Sequence, residues 1–231
     1  KPEVPTSYVA SVEAMCAGEA QIGALATFAY VLASSRDCAE VALVSVRSGS
    51  STYTGQIVTK ADSGIKTIAD LKGKTFCRPD ATSTSGWIMP SLLLKANGLD
   101  PDKDLAEIKD AGGHDKVVQA VYDGECDAGA SFGDARSLIA EAHPDVNEVV
   151  VVIATTDPIP NDTVAFAPAV PAEVRAKVVK AFQDMVANEA DLKLLGDLYR
   201  WTGLEVQEDS FFDPFRQMLD SAGIKIEDFV K

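Results

Sequence analysis

The stretch Lys74-Thr75-Phe76-Cys77-Arg78-Pro79-Asp80-Ala81-Thr82-Ser83-Thr84-Ser85-Gly86 passes from a short apolar strand into a run of hydroxyl side chains. An apolar helix follows through Leu92-Leu93-Leu94-Lys95-Ala96, and Gly98 can stop it. Strand, polar turn, helix is the order of an α/β unit. It recurs outward in both directions. Upstream, Gln21 to Leu25 reads as a buried strand, Thr27 as the cap of the apolar helix Phe28 to Ala33, and Glu40 to Val46 and Gln56 to Thr59 as further strands. Downstream, Ile108 to Ala111 leads through Gly112-Gly113-His114 to a helix over Asp115 to Tyr122, with Gly124 at its end. Asp127 to Ser131 is a strand, Asp134 caps Ala135 to Ile139, and Val149 to Ala154 is a β-rich run. This alternation predicts an α/β fold with mainly parallel sheets. Beyond the turn cluster Asp157-Pro158-Ile159-Pro160-Asn161-Asp162 comes a strand, Thr163 to Phe166, and then helices dominate. They are expected over Pro171 to Asn188, Glu189 to Trp201 and Phe211 to Ala222, with Pro171 at a first helical position.

The 231 residues carry 21 Lys+Arg and 35 Asp+Glu, a net charge of −14. A chain this acidic lacks the basic face that releases counterions from nucleic acid or docks on anionic lipid, so neither partner is expected. With 46% hydrophobic and 24% charged residues it is globular rather than disordered. No apolar run approaches the ~18 residues of a membrane span. No secretory leader is read, and the chain opens abruptly at Lys1-Pro2-Glu3-Val4, as a processed or truncated product would. The four cysteines at 16, 38, 77 and 126 are too widely spaced for a zinc site. Their even number fits two disulfides or four buried thiols.

Four polar turns open helices: Thr6-Ser7-Tyr8, Ser83-Thr84-Ser85-Gly86, Gly113-His114-Asp115 and Phe132-Gly133-Asp134. Each presents backbone N–H groups at the positive end of a helix dipole, and together they suit an anion without any Lys or Arg. Ordinary N-capping explains any one of them. It does not explain the hydroxyl run at 82–85, because one cap needs one hydroxyl. Pro90 requires that helix either to start late, near Gly86, or to kink. His114 follows two glycines at a turn, where it is either a plain surface residue or an imidazole donor to a bound oxyanion; His143 reads as a helix-end residue. Asp134 is most simply an N-cap. At an anion site its carboxylate would accept from a P–OH or an amine and reject ionised sulfate, which has no proton to give. Catalytic motifs are missing: no GxSxG, HExxH, P-loop or GxGxxG occurs, and no cofactor or metal is expected.

With these turns aligned, the chain resembles the phosphate/phosphite/phosphonate-binding proteins of bacterial ABC transporters. The resemblance is carried by Pro5-Thr6-Ser7-Tyr8, Ala26-Thr27-Phe28-Ala29-Tyr30, Gly49-Ser50-Ser51-Thr52-Tyr53, Ser83-Thr84-Ser85-Gly86-Trp87, Ala111-Gly112-Gly113-His114-Asp115 and Ile159-Pro160-Asn161-Asp162. It implies the two-lobed, type II periplasmic-binding-protein fold, with ligand trapped between lobes in the Venus-flytrap manner. Lobe 1 would comprise 1–63 and 158–231 and lobe 2 would comprise 64–157. Lobe 1 would lack its first βα unit, leaving apolar edges exposed.

The family's pocket positions fall on Tyr8, Tyr53, Ser83, Thr84, Ser85, His114 and Asp134. Many relatives carry an aromatic residue where this chain has Leu25, and Gly-Pro where it has Ala26-Thr27; Thr27 is the candidate replacement hydroxyl. The resemblance also implies export, to the periplasm or to an extracellular, membrane-associated position, with a lipid anchor as one form. It implies a permease partner, a monomeric state, and disulfides pairing Cys16 with Cys38 and Cys77 with Cys126. The main expectation is an importer's solute-binding protein for a phosphorus oxyanion. A ligand-binding sensor domain is the alternative. An enzyme on the same fold, such as a pyrimidine-precursor synthase, would need clustered metal-ligating histidines, and this chain has two isolated ones.

Overall fold

The computed structural model describes residues 2–226, and the chain forms two compact units. One is Thr54–Ile159; the other joins Lys1–Tyr53 to Pro160–Lys231. In chain order the first unit supplies α1 (Tyr8–Cys16), β1 (Ile22–Leu25), α2 (Thr27–Ser35), β2 (Glu40–Val46) and β3 (Thr52–Tyr53). The inserted unit follows with β4 (Gly55–Lys60), β5 (Thr75–Arg78), α3 (Met89–Ala96), α4 (Pro101–Asp104), β6 (Glu107–Asp110), α5 (His114–Asp123), β7 (Ala128–Phe132), α6 (Val146–Val149) and β8 (Val150–Thr155). After β9 (Ile159–Pro160), the first unit resumes with β10 (Thr163–Phe166), α7 (Ala172–Ala187), α8 (Glu189–Tyr199), β11 (Gly203–Val206) and α9 (Asp213–Ser221).

The first unit holds a four-stranded sheet in the order β1-β10-β2-β11, with every pairing antiparallel. The inserted unit holds five strands in the order β6-β5-β7-β4-β8. There β5 runs parallel to β6 and β7, while β4 runs antiparallel to β7 and β8. Parallel strands are thus confined to the β6-β5-β7 segment, against the expectation of mainly parallel sheets. The reason lies in the path of the chain. It enters the inserted unit along β4 and leaves along β8, and it leaves the first unit after β3, beyond β2, and returns before β10. Strands that lead out and back to the same end must run in opposite directions. The β4 and β8 ends are clasped: Thr156 N donates to Gly55 O at 2.9 Å, and Gly55 N donates to Thr156 Oγ1 at 2.8 Å. The sequence reading placed the first crossing at 63/64 and the return at 157/158. In the structure β4 already lies inside the insertion's sheet, because Ile57, Val58 and Thr59 are buried in that unit.

Local signals set several boundaries. The Ser7 hydroxyl accepts from Ala10 N at 3.1 Å and caps α1, and Asn188 Oδ1 caps α8 from both Ala190 N and Asp191 N. Gly124 takes the left-handed conformation, φ 78°, that ends α5. Pro171 is the residue before α7 rather than its first residue, with extended ψ of 143°. The expected Phe211 to Ala222 helix is a 3₁₀ turn, Asp209–Phe212, followed by α9. The run at 149–154 is divided, with Val149 ending α6 and β8 starting at Val150. Thr27 does not cap α2: it is the first helical residue, and Ala26 occupies the cap position without a side-chain bond.

Residues 27–33 of α2 are all buried, so this helix is covered on every side. Tyr30 supplies its polar handle. Its hydroxyl donates to Asp209 Oδ1 at 2.6 Å and accepts from Val41 N at 3.3 Å, and its ring lies 4.5 Å from that of Phe212. Arg216 Nη2 holds the same Asp209 oxygen at 2.6 Å. Burial and then the Asp209 carboxylate push the phenol up to about 12, so it remains a donor at neutral pH. Tyr30→Phe is expected to lower stability by about 1 kcal/mol in urea unfolding, because the part-buried bond to Asp209 is lost and the Val41 N–H loses its side-chain partner. An unchanged midpoint would refute this anchoring.

Both disulfides are the expected pairs, and each lies within one unit: Cys16–Cys38 in the first and Cys77–Cys126 in the insertion. Cys77 is on β5, whereas Cys126 lies in the turn before β7 rather than on a strand. Among the described residues, no helix is long and apolar enough to cross a membrane, and no group of three metal-ligating side chains occurs.

Candidate functional site

Because β5, β6 and β7 are parallel, the loops that follow them emerge at one end of the sheet, where open α/β sheets bind their ligands. After β5 come Ser83, Thr84 and Ser85; after β6 comes His114; after β7 come Gly133 and Asp134. The fold therefore gathers at one sheet end five of the residues singled out in the sequence.

The hydroxyl loop is shaped by its own chain. Asp80 Oδ1 accepts from Thr82 N at 2.7 Å and from Thr82 Oγ1 at 2.6 Å, which turns the chain into the helix. Ser83 is the cap, its Oγ accepting from Gly86 N at 3.2 Å. Residues 84–88 form a widened π-type turn before α3, with Ile88 N reaching back to Ser83 O at 3.0 Å. This answers the question posed by Pro90. The helix starts at Thr84, just after the Ser83 cap, and the wide turn ends where Pro90, lacking an N–H, enters the first turn of α3. Ser83, Thr84 and Ser85 are only 1%, 2% and 3% exposed, so a short loop packs three hydroxyls beneath the surface. Two glycines permit this packing. A Cβ on Gly86 would sit 2.3 Å from Pro79 Cδ, and one on Gly55 would sit 2.6 Å from Ser85 O.

His114 is the first residue of α5, after Gly113 in extended backbone. Its Nδ1 lies 2.8 Å from Ser131 Oγ, and its ring meets the Phe132 ring edge-on at 5.0 Å. Ser131 is 1% exposed and faces Gln56 across the β4–β7 ladder. Gln56 in turn packs on Gly133, where a Cβ would meet its amide at 2.8 Å. Neither Ser131 nor Gln56 stood out in the sequence. Their proximity to His114 depends on the β6-β5-β7-β4 strand order, which no spacing encodes.

Asp134 caps the 3₁₀ turn Ala135–Leu138, accepting from Arg136 N at 3.1 Å. Both its oxygens are also gripped by the Arg136 side chain: Nε to Oδ1 at 2.9 Å and Nη2 to Oδ2 at 2.7 Å. The guanidinium holds the carboxyl below its ordinary range, so Asp134 is an ionised acceptor at neutral pH. Arg136 Nη1 is committed to the Val150 carbonyl at 2.9 Å. Arg78 is likewise engaged, with Nε on Asp110 Oδ1 at 2.5 Å and its guanidinium 4.6 Å over the Trp87 ring. These guanidiniums serve the scaffold, while helix-start N–H groups and hydroxyls line the loops.

The remaining candidates belong to the other unit. Tyr8 opens α1, and Tyr53 ends β3; both are half-buried. Thr27 is fully buried and donates its one hydroxyl hydrogen to Pro160 O at 2.5 Å, leaving its oxygen only acceptor capacity.

Residues 1–212 match the family described as ABC transporter, phosphonate, periplasmic substrate-binding protein. The phosphate-import protein PhnD of Mycolicibacterium smegmatis is 28% identical over 239 residues, covering 94% of this chain and 74% of that protein. A binding protein component of an ABC phosphonate transporter from Pseudomonas aeruginosa has a TM-score of 0.87 at 23% identity, over 96% of this chain and 75% of that one. PhnD1 from Prochlorococcus marinus, solved in complex with methylphosphonate, has a TM-score of 0.80 at 15% identity, over 97% and 86% of the two chains. The two structures share the fold, and the match over residues 1–212 goes further: the chain belongs to the periplasmic phosphonate substrate-binding protein family of ABC transporters.

Proposed function

We propose that the protein captures a phosphorus oxyanion (phosphate, phosphite or an alkylphosphonate) and delivers it to an ABC permease. The observation that carries this reading is the buried run Ser83-Thr84-Ser85 at a helix start, at the same sheet end as the start of α5. Such a loop offers hydroxyl and backbone N–H donors to several oxygens at once, in the field of a helix dipole. His114 adds a ring donor. Asp134, ionised and fixed by Arg136, accepts from a P–OH or an amine. Fully ionised sulfate offers it no proton and is repelled. The protein acts as a monomer outside the cytoplasmic membrane, held near its permease, and performs no chemistry on its cargo.

Calorimetric titration at pH 7 of ligand-stripped protein with phosphate, phosphite, methylphosphonate, 2-aminoethylphosphonate and sulfate tests the reading. Submicromolar binding of one phosphorus compound with sulfate silent is the expected result. Sulfate binding as tight as phosphate would remove Asp134 from its assigned role, and silence from all five would overturn the oxyanion reading.

A further inference from the structure

We propose that Ser131 is a positioning residue that fixes His114 in its Nε2–H tautomer, so that a neutral imidazole presents a donor N–H to the oxyanion. The inference rests on the oxyanion reading for its purpose, but not for its geometry. Ser131 Oγ is 2.8 Å from His114 Nδ1, and the residue is 1% exposed. A hydroxyl carries one hydrogen, and in the interior that hydrogen must reach an acceptor. Among the described residues, Nδ1 is the partner of Ser131 Oγ, and no second one accompanies it.

Two arrangements satisfy the distance. In one, Oγ–H donates into the Nδ1 lone pair and the ring proton resides on Nε2. In the other, Nδ1–H donates to Oγ, which strands the serine hydrogen in a buried, acceptor-free position. The penalty for a stranded buried donor favours the first arrangement by about tenfold or more. Phe132, the next residue of β7, fixes the ring plane by its edge contact at 5.0 Å, and Gly113 in extended backbone sets the ring at the first position of α5. Consecutive residues at the end of one strand therefore dictate both the orientation and the protonation pattern of the imidazole. A donor made this way needs no net positive charge.

The chain has only two histidines, which makes the test direct. Protein labelled with ¹⁵N-histidine and free of ligand is examined at pH 8, with His143→Gln identifying the His114 signals. The expected spectrum shows a protonated Nε2 and a pyridine-like Nδ1 for His114. A protonated Nδ1, or an imidazolium at this pH, would overturn the proposal. Ser131→Ala is expected to produce mixed tautomers and to weaken binding of inorganic phosphate or methylphosphonate about tenfold. A folded Ser131→Ala protein that keeps pure Nε2–H would show that another group sets the tautomer and would equally overturn it. Should the variant not fold, the wild-type spectrum alone decides. Should neither oxyanion bind, the spectrum still decides, and only the function assigned to the site falls.

Discussion

Gly86→Ala is expected to weaken oxyanion binding about a hundredfold and to destabilise the protein by about 2–3 kcal/mol. The added methyl would sit 2.3 Å from Pro79 Cδ, 2.6 Å from Pro79 Cγ and 2.9 Å from Ser83 Oγ. A proline ring is tied to its backbone at both ends, so it cannot swing aside as the end of a long side chain would. The loop itself must shift. Ser83 Oγ is the cap acceptor for Gly86 N, so the same shift breaks the cap and moves the neighbouring hydroxyls. Affinity and stability thus fall together. Calorimetric titration with phosphate or methylphosphonate and urea unfolding read the two effects. A variant that unfolds normally and binds as tightly as the parent would show that the loop is not the ligand's seat.

Loss of the Cys77–Cys126 bond is expected to cost about 4 kcal/mol on chain-entropy grounds, because it joins residues 49 apart in sequence. The Cys16–Cys38 bond, with a separation of 22, is expected to contribute about 3 kcal/mol. The larger effect also falls on the site-bearing unit. Cys77 and Cys126 are 3% and 1% exposed, within the apolar cluster of Val58, Val117, Val121 and Val150 that supports β5 and α5. The paired substitution Cys77→Ser with Cys126→Ser therefore removes the bond and leaves buried hydroxyls without assured partners. Unfolding midpoints with and without reductant, compared for this variant and for the Cys16→Ser, Cys38→Ser counterpart, measure both contributions. Equal midpoints for the oxidised parent and the Cys77→Ser, Cys126→Ser protein would refute the assignment.

The α/β alternation was legible because apolar strands such as β7 and β8 give way to Gly133-Asp134 and Thr155-Thr156-Asp157, residues that turn chains and cap helices. The hydroxyl loop was legible for the same reason, since Ser83, Thr84 and Ser85 exceed what one cap requires. Strand direction was not legible: antiparallel β4 and β8 read locally like any buried strand, and only the out-and-back path of the chain reverses them. Thr27 looked like a cap because threonine caps helices, but the structure uses its hydroxyl for Pro160 O, far away in sequence. Asp134 was legible as a cap, whereas its grip by Arg136 depends on a long side chain that also reaches β8. Ser131 looked like a strand terminus and nothing more, because its bond to His114 is made across the sheet's order rather than along the chain.

The clasp between Gly55 and Thr156 gives the insertion a property of its own. A segment whose two ends meet can be lifted out of one host and set into another without stretching either. Residues 54–159 carry the hydroxyl loop, both positioning contacts of His114 and a private disulfide. They have the makings of a cassette: a self-closed unit that evolution, or an engineer, can exchange between scaffolds by joining at two neighbouring points.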